Sequence, residues 1–168
     1  MSEDEPVPDD FRMTELGPLP KEWDVVRIAD VSDKMKAGGT PSRKNPTFWG
    51  GVIPFVLIED MTSCGLYLSH TKDRITEDGL SNSSTWIVPP NTLLVTMYAT
   101  IGETAINTIP LTTNQAILAI RPSNRLDPIF GAYVLKANAR RLERENVQCT
   151  QKNVNKGIVE PVRVVPRL

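Results

Sequence analysis

Residues 92–98, TLLVTMY, and residues 115–120, QAILAI, are two short apolar runs rich in residues that favour an extended backbone. Continuous apolar runs of this length, bounded by turn signals, predict strands buried inside a sheet. Further strand candidates are WDVVRI (23–28), IPFVLI (53–58) and IVEPVRVV (158–165). Pro161 interrupts the last run, which favours an edge position because proline cannot donate a ladder hydrogen bond.

Turn signals separate these runs at residues 45–51, 88–91, 99–102 and 121–124. Each of these segments contains Gly, Pro, Asn or Ser, the residues that turns select. Short strands at such spacing predict a curved, partly barrel-like β-sheet.

One helix is predicted after the strands. Asp127 is a good N-cap, and Pro128 stands at the first helical position, where its missing N–H is no loss. The apolar positions that fall on one face are Ile129, Phe130, Tyr133, Val134 and Ala137. Their spacing predicts a core-facing helix that runs to about residue 146. A shorter helical turn is predicted at residues 75–80 with Thr76 as its cap, so the fold class is α+β.

The composition is that of one globular domain, with 168 residues, 40% of them hydrophobic and 23% charged. Residues 1–15 are expected to form a flexible acidic lead-in, and residues 16–168 a single domain. The N-terminus lacks the pattern of a signal peptide, and no apolar run approaches the ~20 residues that cross a bilayer. We therefore expect a cytoplasmic protein without a membrane segment, in which Cys64 and Cys149 are reduced thiols.

The net charge of −1 hides an uneven distribution. Five acids and no base lie in the first ten residues, which leaves 19 bases against 15 acids for residues 11–168. Residues 136–168 alone hold eight bases against three acids. The folded part is therefore mildly basic, which favours a polyanionic partner.

Catalytic chemistry finds little support in the sequence. A metal site needs clustered ligands, but the chain has a single histidine, His70, and two separated cysteines. One histidine is thin support for a nucleophilic Cys64 or Cys149. There is no GxxxxGK[ST] loop and no GxGxxG after a strand. We therefore expect no catalytic residue and no metal ligand in this chain.

Two polar loops have the groups that contact DNA. GGTPSRKN, at residues 38–45, offers glycine N–H groups, hydroxyls and cations, which can hold phosphates, although the same residues also make an ordinary surface turn. CTQKNVN, at residues 149–155, carries amides that can pair with adenine. The candidate DNA-binding residues are Lys36, Thr40, Ser42, Arg43, Lys44, Asn45, Tyr98, Thr150, Gln151, Lys152 and Asn153, with Lys34 adding to the positive field.

The order of these motifs resembles the target recognition domain of the DNA-specificity (S) subunit of type I restriction-modification systems. The stretches that carry the resemblance are LPKEWDVVRIADV (19–31), GGTPSRKNPTFWGGVIPFV (38–56), ITEDGLSNSSTWIVPPNTLLVTMYATIGETAI (75–106), TTNQAILAIRP (112–122) and TQKNVN (150–155). Relatives typically have Gly-Ser before the TQ pair, where this chain has Gln148-Cys149.

The resemblance implies a non-catalytic α+β module that reads one half of a bipartite sequence in double-stranded DNA. It implies methyltransferase (M) subunits, which bind S-adenosylmethionine, and restriction (R) subunits, which use ATP and Mg, as partners, and no cofactor on this chain. The spacer helix that follows such a domain is expected to be absent here. Two alternatives stay open: the recognition domain of a single-chain restriction-methylation enzyme, and a domain that binds a protein or small ligand instead of DNA.

Overall fold

The structure is a computed structural model that describes residues 7–98, 100–142 and 156–166. The strands are β1 (Phe11–Thr14), β2 (Gly17–Pro20), β3 (Val26–Arg27), β4 (Ser32–Ala37), β5 (Trp49–Val56), β6 (Tyr67–Leu68), β7 (Asp73–Ile75), β8 (Leu93–Thr96), β9 (Thr104–Asn107), β10 (Thr112–Thr113), β11 (Ile117–Pro122) and β12 (Arg163–Val164). The helices are α1 (Ile58–Ser63), α2 (Glu77–Ser81), α3 (Pro128–Ala137) and α4 (Lys156–Val159), and residues 139–142 are also helical.

A five-stranded sheet in the order β4-β11-β8-β9-β6 forms the centre of the domain. Its neighbours pair antiparallel except β6, which lies parallel to β9. Successive side chains of a strand point to opposite faces, so β8 places Leu93 and Val95 on one face and Leu94 on the other. All three side chains are fully buried. Both faces of the sheet are therefore covered at β8, as its continuous apolar run predicted.

The two faces of the central sheet contact different elements. The first face packs against α3, where Leu93 and Ile120 share a buried cluster with Ala132 and Leu135. The second face holds Leu94, Ile117 and Ala119 in a cluster that includes Val56 of β5. That strand belongs to a smaller sheet in the order β10-β5-β7, whose own apolar residues include Phe55 and Ile75.

The predicted caps of α2 and α3 are confirmed. The Thr76 hydroxyl accepts a hydrogen bond from Gly79 N–H at 3.1 Å. The Asp127 carboxylate accepts from Ile129 N–H at 2.8 Å and from Phe130 N–H at 3.1 Å. Helix α3 ends at Ala137, where Asn138 interrupts it, and the rest of its predicted course lies partly outside the described residues.

The predicted core-facing side of α3 is wrong. The buried residues of α3 are Gly131, Ala132 and Leu135, whereas Ile129 and Phe130 are 41% exposed. A Cβ added to Gly131 would lie 2.8 Å from Leu93 Cδ1. The small residues Gly131 and Ala132 let α3 lie close to the central sheet, and Ile129, Phe130 and Tyr133 point outward.

We expect Asp127→Ala to lower the free energy of unfolding by about 1 kcal/mol, because two N–H groups at the start of α3 lose their acceptor. Thermal unfolding measures this as a melting temperature lower by roughly 2–4 °C. Asp127→Asn is the matched control, since asparagine caps helices about as well as aspartate. An alanine variant that melts with the wild type would contradict this role.

Strand β1 lies inside the segment that was expected to be a flexible lead-in. Residues 11–14 pair antiparallel with β2 through a turn at residues 15–16, and Gly17, at φ +96°, follows that turn as the first residue of β2. The Thr14 hydroxyl donates to the Gly17 carbonyl at 2.7 Å, which closes the turn. A glycine with positive φ is the local reason for a hairpin that composition alone did not reveal.

The α+β class is confirmed. In the described residues the strands form four separate open sheets, and the predicted barrel-like curvature stays a prediction. The 158–165 run is not one strand: residues 158–159 end α4 and residues 163–164 form β12, which within the described residues pairs with β3 alone. Strand β4 was not predicted. Among the described residues, no helix has the length and apolar character that a membrane span requires.

Candidate nucleic-acid interface

The loop of residues 38–45 follows β4. It begins next to Ile117, the first residue of β11. Gly38 N–H donates to the Ile117 carbonyl at 3.3 Å, and Gly39 N–H donates to the Thr113 carbonyl at 3.0 Å. Both glycine N–H groups are thus used inside the protein. The loop therefore does not offer them as a backbone cradle for a phosphate.

The two glycines are required by close packing. A Cβ on Gly38 would lie 1.9 Å from the Thr113 carbonyl oxygen, and a Cβ on Gly39 would lie 2.0 Å from Ser84 Oγ. Neither residue has a positive φ. The backbone of residues 38–39 therefore fits between two neighbouring segments that leave no room for a side chain.

Arg43 is held inside the loop. Its guanidinium lies 3.5 Å from the centre of the Trp49 ring and 2.5 Å from an Asp73 carboxylate oxygen. The Trp49 indole N–H donates to the Ser42 carbonyl at 3.2 Å. Asn45 Oδ1 accepts from Thr47 N–H at 3.1 Å, which caps the 3₁₀ turn Pro46–Phe48. These contacts brace the loop, and the predicted DNA contacts of Arg43 and Asn45 stay predictions.

We expect Arg43→Ala to lower the free energy of unfolding by about 1 kcal/mol, because a stacked cation and a half-exposed ion pair are both lost. Lys44→Ala, at the adjacent exposed position, should stay within about 0.5 kcal/mol of the wild type. Urea denaturation of both variants measures the difference. Equal stability of the two variants would show that the contacts of Arg43 do not brace the loop.

Three other groups of the loop remain exposed. The Thr40 hydroxyl donates to Gln115 Oε1 at 2.6 Å, and both residues are exposed. Ser42 and Lys44 are exposed, and Lys44 has no ion pair within the described part of the chain. The loop thus presents a hydroxyl pair and a cation on a rigid backbone.

Two lysines of β4 extend this positive surface. Lys34 Nζ lies 4.0 Å and Lys36 Nζ 5.9 Å from the centre of the Trp86 ring. Lys36 pairs across the strands with Ala119, which belongs to the second face of the central sheet. Over residues 7–98, 100–142 and 156–166, neither lysine forms an ion pair with a carboxylate. The Trp86 indole therefore contacts the ammonium groups of Lys34 and Lys36, which are both exposed on the second face of the central sheet.

Trp86 and Gln115 were not among the predicted site residues. Their contacts join segments far apart in sequence, so no local pattern marks them. The alternation in β4 was a usable signal, because charged Lys34 and Lys36 flank Met35, which packs on the opposite face.

The remaining predicted site residues are Tyr98 and four residues of the 149–155 loop. Tyr98 is half-buried and packs against the core cluster on the α3 side of the sheet. No hydrogen bond among the described residues joins it to the loop. Thr150, Gln151, Lys152 and Asn153 lie outside the described residues, as do Gln148 and Cys149.

Of the side chains considered for catalysis, Cys64 and His70 lie within the described residues. Partial burial raises the pKa of the Cys64 thiol, which disfavours its nucleophilic thiolate form. His70 is exposed and lies 3.5 Å from Ser69 Oγ through Nδ1. Within the described residues, no three His, Cys, Asp or Glu side chains are grouped so that they could hold a metal ion.

Comparison with known proteins identifies the family of this chain. Residues 20–164 match the family described as the type I restriction modification DNA specificity domain, which is most of the 168 residues. The chain belongs to this family. A specificity-subunit relative, that of the type I restriction enzyme MjaIX of Methanocaldococcus jannaschii, is 37% identical over 128 residues, covering 76% of this chain and 29% of the relative.

Other members of the specificity-domain family show the same relationship. The specificity subunit of the HindI enzyme of Haemophilus influenzae is 29% identical over 106 residues, covering 63% of this chain and 23% of the relative. The crystal structure of the HsdS subunit from Thermoanaerobacter tengcongensis superposes with a TM-score of 0.64 at 22% identity, over 94% of this chain and 36% of that one. The chain thus spans about a third or less of these proteins, and the structural likeness shows the fold.

Proposed function

We propose that this specificity domain binds double-stranded DNA and determines one half of the bipartite target of a type I restriction-modification complex. The observation that carries the proposal is the exposed surface formed by Lys34, Lys36 and Lys44 together with the Thr40 and Ser42 hydroxyls. Lysines without carboxylate partners and small hydroxyls are the groups that contact phosphates. We call these five residues the loop surface.

The loop surface grips the DNA backbone in this proposal and does not read bases. Its lysines are point charges, and the Trp86 ring holds two of them in place, which reduces the entropy lost on binding. Arg43 stacks on Trp49 and pairs with Asp73, and these contacts stabilise the loop conformation. Base reading is assigned to other segments of the domain, and Gln151 and Asn153 keep their predicted place among the residues that contact DNA.

The chemistry of restriction and modification lies on partner subunits in this proposal. Methyltransferase (M) subunits supply S-adenosylmethionine binding and adenine methylation, and restriction (R) subunits supply ATP-driven cleavage with Mg. The domain binds no cofactor itself and works in the cytoplasm, where the DNA lies. Relatives that are type I specificity subunits support this division of labour.

Salt dependence of binding tests the DNA proposal. We expect the isolated chain to bind duplexes weakly, with a Kd of roughly 10⁻⁴–10⁻⁶ M, because one half-site contact buries little surface. The slope of log K against log salt should be about −2.7 or steeper, since three lysines neutralise phosphates. Fluorescence anisotropy of a labelled duplex over a salt series measures both. Binding without salt dependence, or none at low salt, would favour the protein or small-ligand alternative.

A further inference from the structure

Gln115 is an exposed side chain in the turn between β10 and β11, next to residues that are buried. Thr113, Ala116 and Ile117 are all buried, whereas Gln115 is exposed. Asn114 Oδ1 accepts a hydrogen bond from Ala116 N–H at 2.9 Å, which fixes the backbone of the turn. The turn therefore presents a single amide side chain at the surface from a fixed backbone.

The loop of residues 38–45 holds this turn on both sides of Gln115. The N–H groups of the two loop glycines bind the carbonyls of Thr113 and Ile117, which precede and follow Gln115 by two residues. The Thr40 hydroxyl donates to Gln115 Oε1 at 2.6 Å. Backbone and side-chain hydrogen bonds thus fix Gln115 beside the loop surface, although the two segments are far apart in sequence.

The bond between Thr40 and Gln115 decides which atoms of the pair can bind a further group. A threonine hydroxyl has one hydrogen, and that of Thr40 is used by Gln115 Oε1. A glutamine amide has two hydrogens on its nitrogen, and those of Gln115 Nε2 have no acceptor among the described residues. The donor that this pair can offer to an external acceptor therefore belongs to Gln115.

Two lysines surround the pair. Lys36 precedes Thr40 by four residues and Lys44 follows it by four, and both are exposed. In the described part of the chain, neither lysine forms an ion pair with a carboxylate. Four residues of chain span at most about 14 Å, so the amide and both lysines belong to one patch. An acceptor bound by Gln115 lies in a positive field, which favours an anionic oxygen.

The hydrogen bond to Thr40 also disfavours base reading by Gln115. Glutamine reads adenine with both amide atoms, because the oxygen accepts and the nitrogen donates. The oxygen of Gln115 already accepts from Thr40, so this pairing would compete with that bond. A phosphate oxygen needs only the free N–H groups, and a charged acceptor makes the stronger hydrogen bond.

We propose that Gln115 is a phosphate-binding residue of the domain and that Thr40 positions it. The inference rests on the proposed binding of DNA and adds a neutral donor to the lysines of the loop surface. Because the side chain is held in place before DNA binds, less rotamer entropy is lost on binding. A neutral amide releases no counterion of its own, so its contribution to affinity is independent of salt, unlike that of a lysine.

Two substitutions of Gln115 in the full chain test its role. Gln115→Met removes the amide from a side chain of similar length and should weaken duplex binding by about tenfold on all sequences, with an unchanged log–log salt slope. Gln115→Glu keeps an acceptor for Thr40 but places a carboxylate against the phosphate, and should weaken binding by about thirtyfold. Fluorescence anisotropy on several unrelated duplexes over a salt series measures these effects, and thermal melting checks the fold of each variant.

Asn124→Leu and Asn124→Asp are the matched controls, since Asn124 is an exposed amide beyond the other end of β11. Both should bind duplexes like the wild type. Thr40→Val removes the positioning hydrogen bond and should weaken binding by about threefold. Combined with Gln115→Met, it should cause no further loss, because the two residues act as one unit.

Three results would contradict the phosphate contact while leaving DNA binding intact. They are wild-type affinity of Gln115→Met on every duplex, a loss that differs between sequences, and a loss seen with Thr40→Val but not with Gln115→Met. The second would make Gln115 a base reader, and the third would place the donor on Thr40. A wild-type chain that binds no duplex at low salt would overturn the proposed function instead.

Discussion

Replacing Lys34, Lys36 and Lys44 together with alanine should lower duplex affinity by about a hundredfold at ~0.1 M salt and make the log–log salt slope shallower by about 2.7. Each lysine is exposed and free of carboxylate partners in the described part of the chain, so its full charge is available to a phosphate. The effect should be nearly equal on all sequences, because phosphate contacts carry no base information. Anisotropy titrations on several unrelated duplexes measure affinity and slope together.

The control for this triple variant removes three lysines elsewhere, Lys21, Lys136 and Lys156, so the net charge changes equally. Lys136, in α3, forms an ion pair with Glu103, and Lys156, in α4, forms an ion pair with Glu160. The control variant should retain most of the wild-type affinity. If both triple variants weaken binding alike, general charge and not the loop surface attracts the DNA.

Gly38→Ala should lower the free energy of unfolding by about 3 kcal/mol, since the added Cβ overlaps the Thr113 carbonyl and the loop must move. A shift of that size lowers the melting temperature by roughly 6–12 °C. Duplex binding should fall as well, because the loop positions Thr40, Ser42 and Lys44. Differential scanning calorimetry measures the stability of the variant.

Gly65→Ala separates this packing effect from the ordinary cost of replacing a glycine. Gly65 has φ +68°, and a Cβ there meets no atom within 4 Å. Its replacement should cost only about 1–2 kcal/mol, the strain of a left-handed backbone. A Gly38→Ala protein as stable as the wild type would show that the approach of Gly38 to Thr113 is not required.

The parts of the fold that local sequence determines were predictable. The run at 92–98 contains β8, and the run at 115–120 covers the first four residues of β11, because both faces of these segments are buried and their composition is largely apolar. The caps of α2 and α3 depend on one polar side chain and the next turn of helix. Such signals need no knowledge of the rest of the chain.

The misses depend on tertiary partners. Strand β4 is an edge strand with charged residues on its exposed positions, so it lacks the apolar run that marks a buried strand. The face of α3 was misassigned because hydrophobicity favours burying Phe130, whereas the tight contact with Leu93 selects Gly131. Helical periodicity shows which residues lie on the same side of a helix. It does not show how closely the neighbouring sheet approaches that side.

In the candidate site, too, local sequence determines some features and tertiary contacts determine the others. The composition of residues 38–45 marked a polar loop, but the partners of Gly38 and Arg43, at Thr113 and Asp73, are distant in sequence. Those partners decide which groups are used inside the protein and which remain exposed. Lys36 and Lys34 were predicted to belong to the positive surface, whereas their contact with Trp86 joins segments that are distant in sequence.

The most direct test of the central claim is the methylation pattern of a reconstituted complex. Residues 20–164 would replace the corresponding domain of a characterised type I specificity subunit, and methylated adenines would then be mapped across a genome. We predict that one half of the bipartite target changes to a new sequence while the other half and the methylation activity are retained. An active complex whose target is unchanged in both halves would contradict the claim that this domain determines specificity.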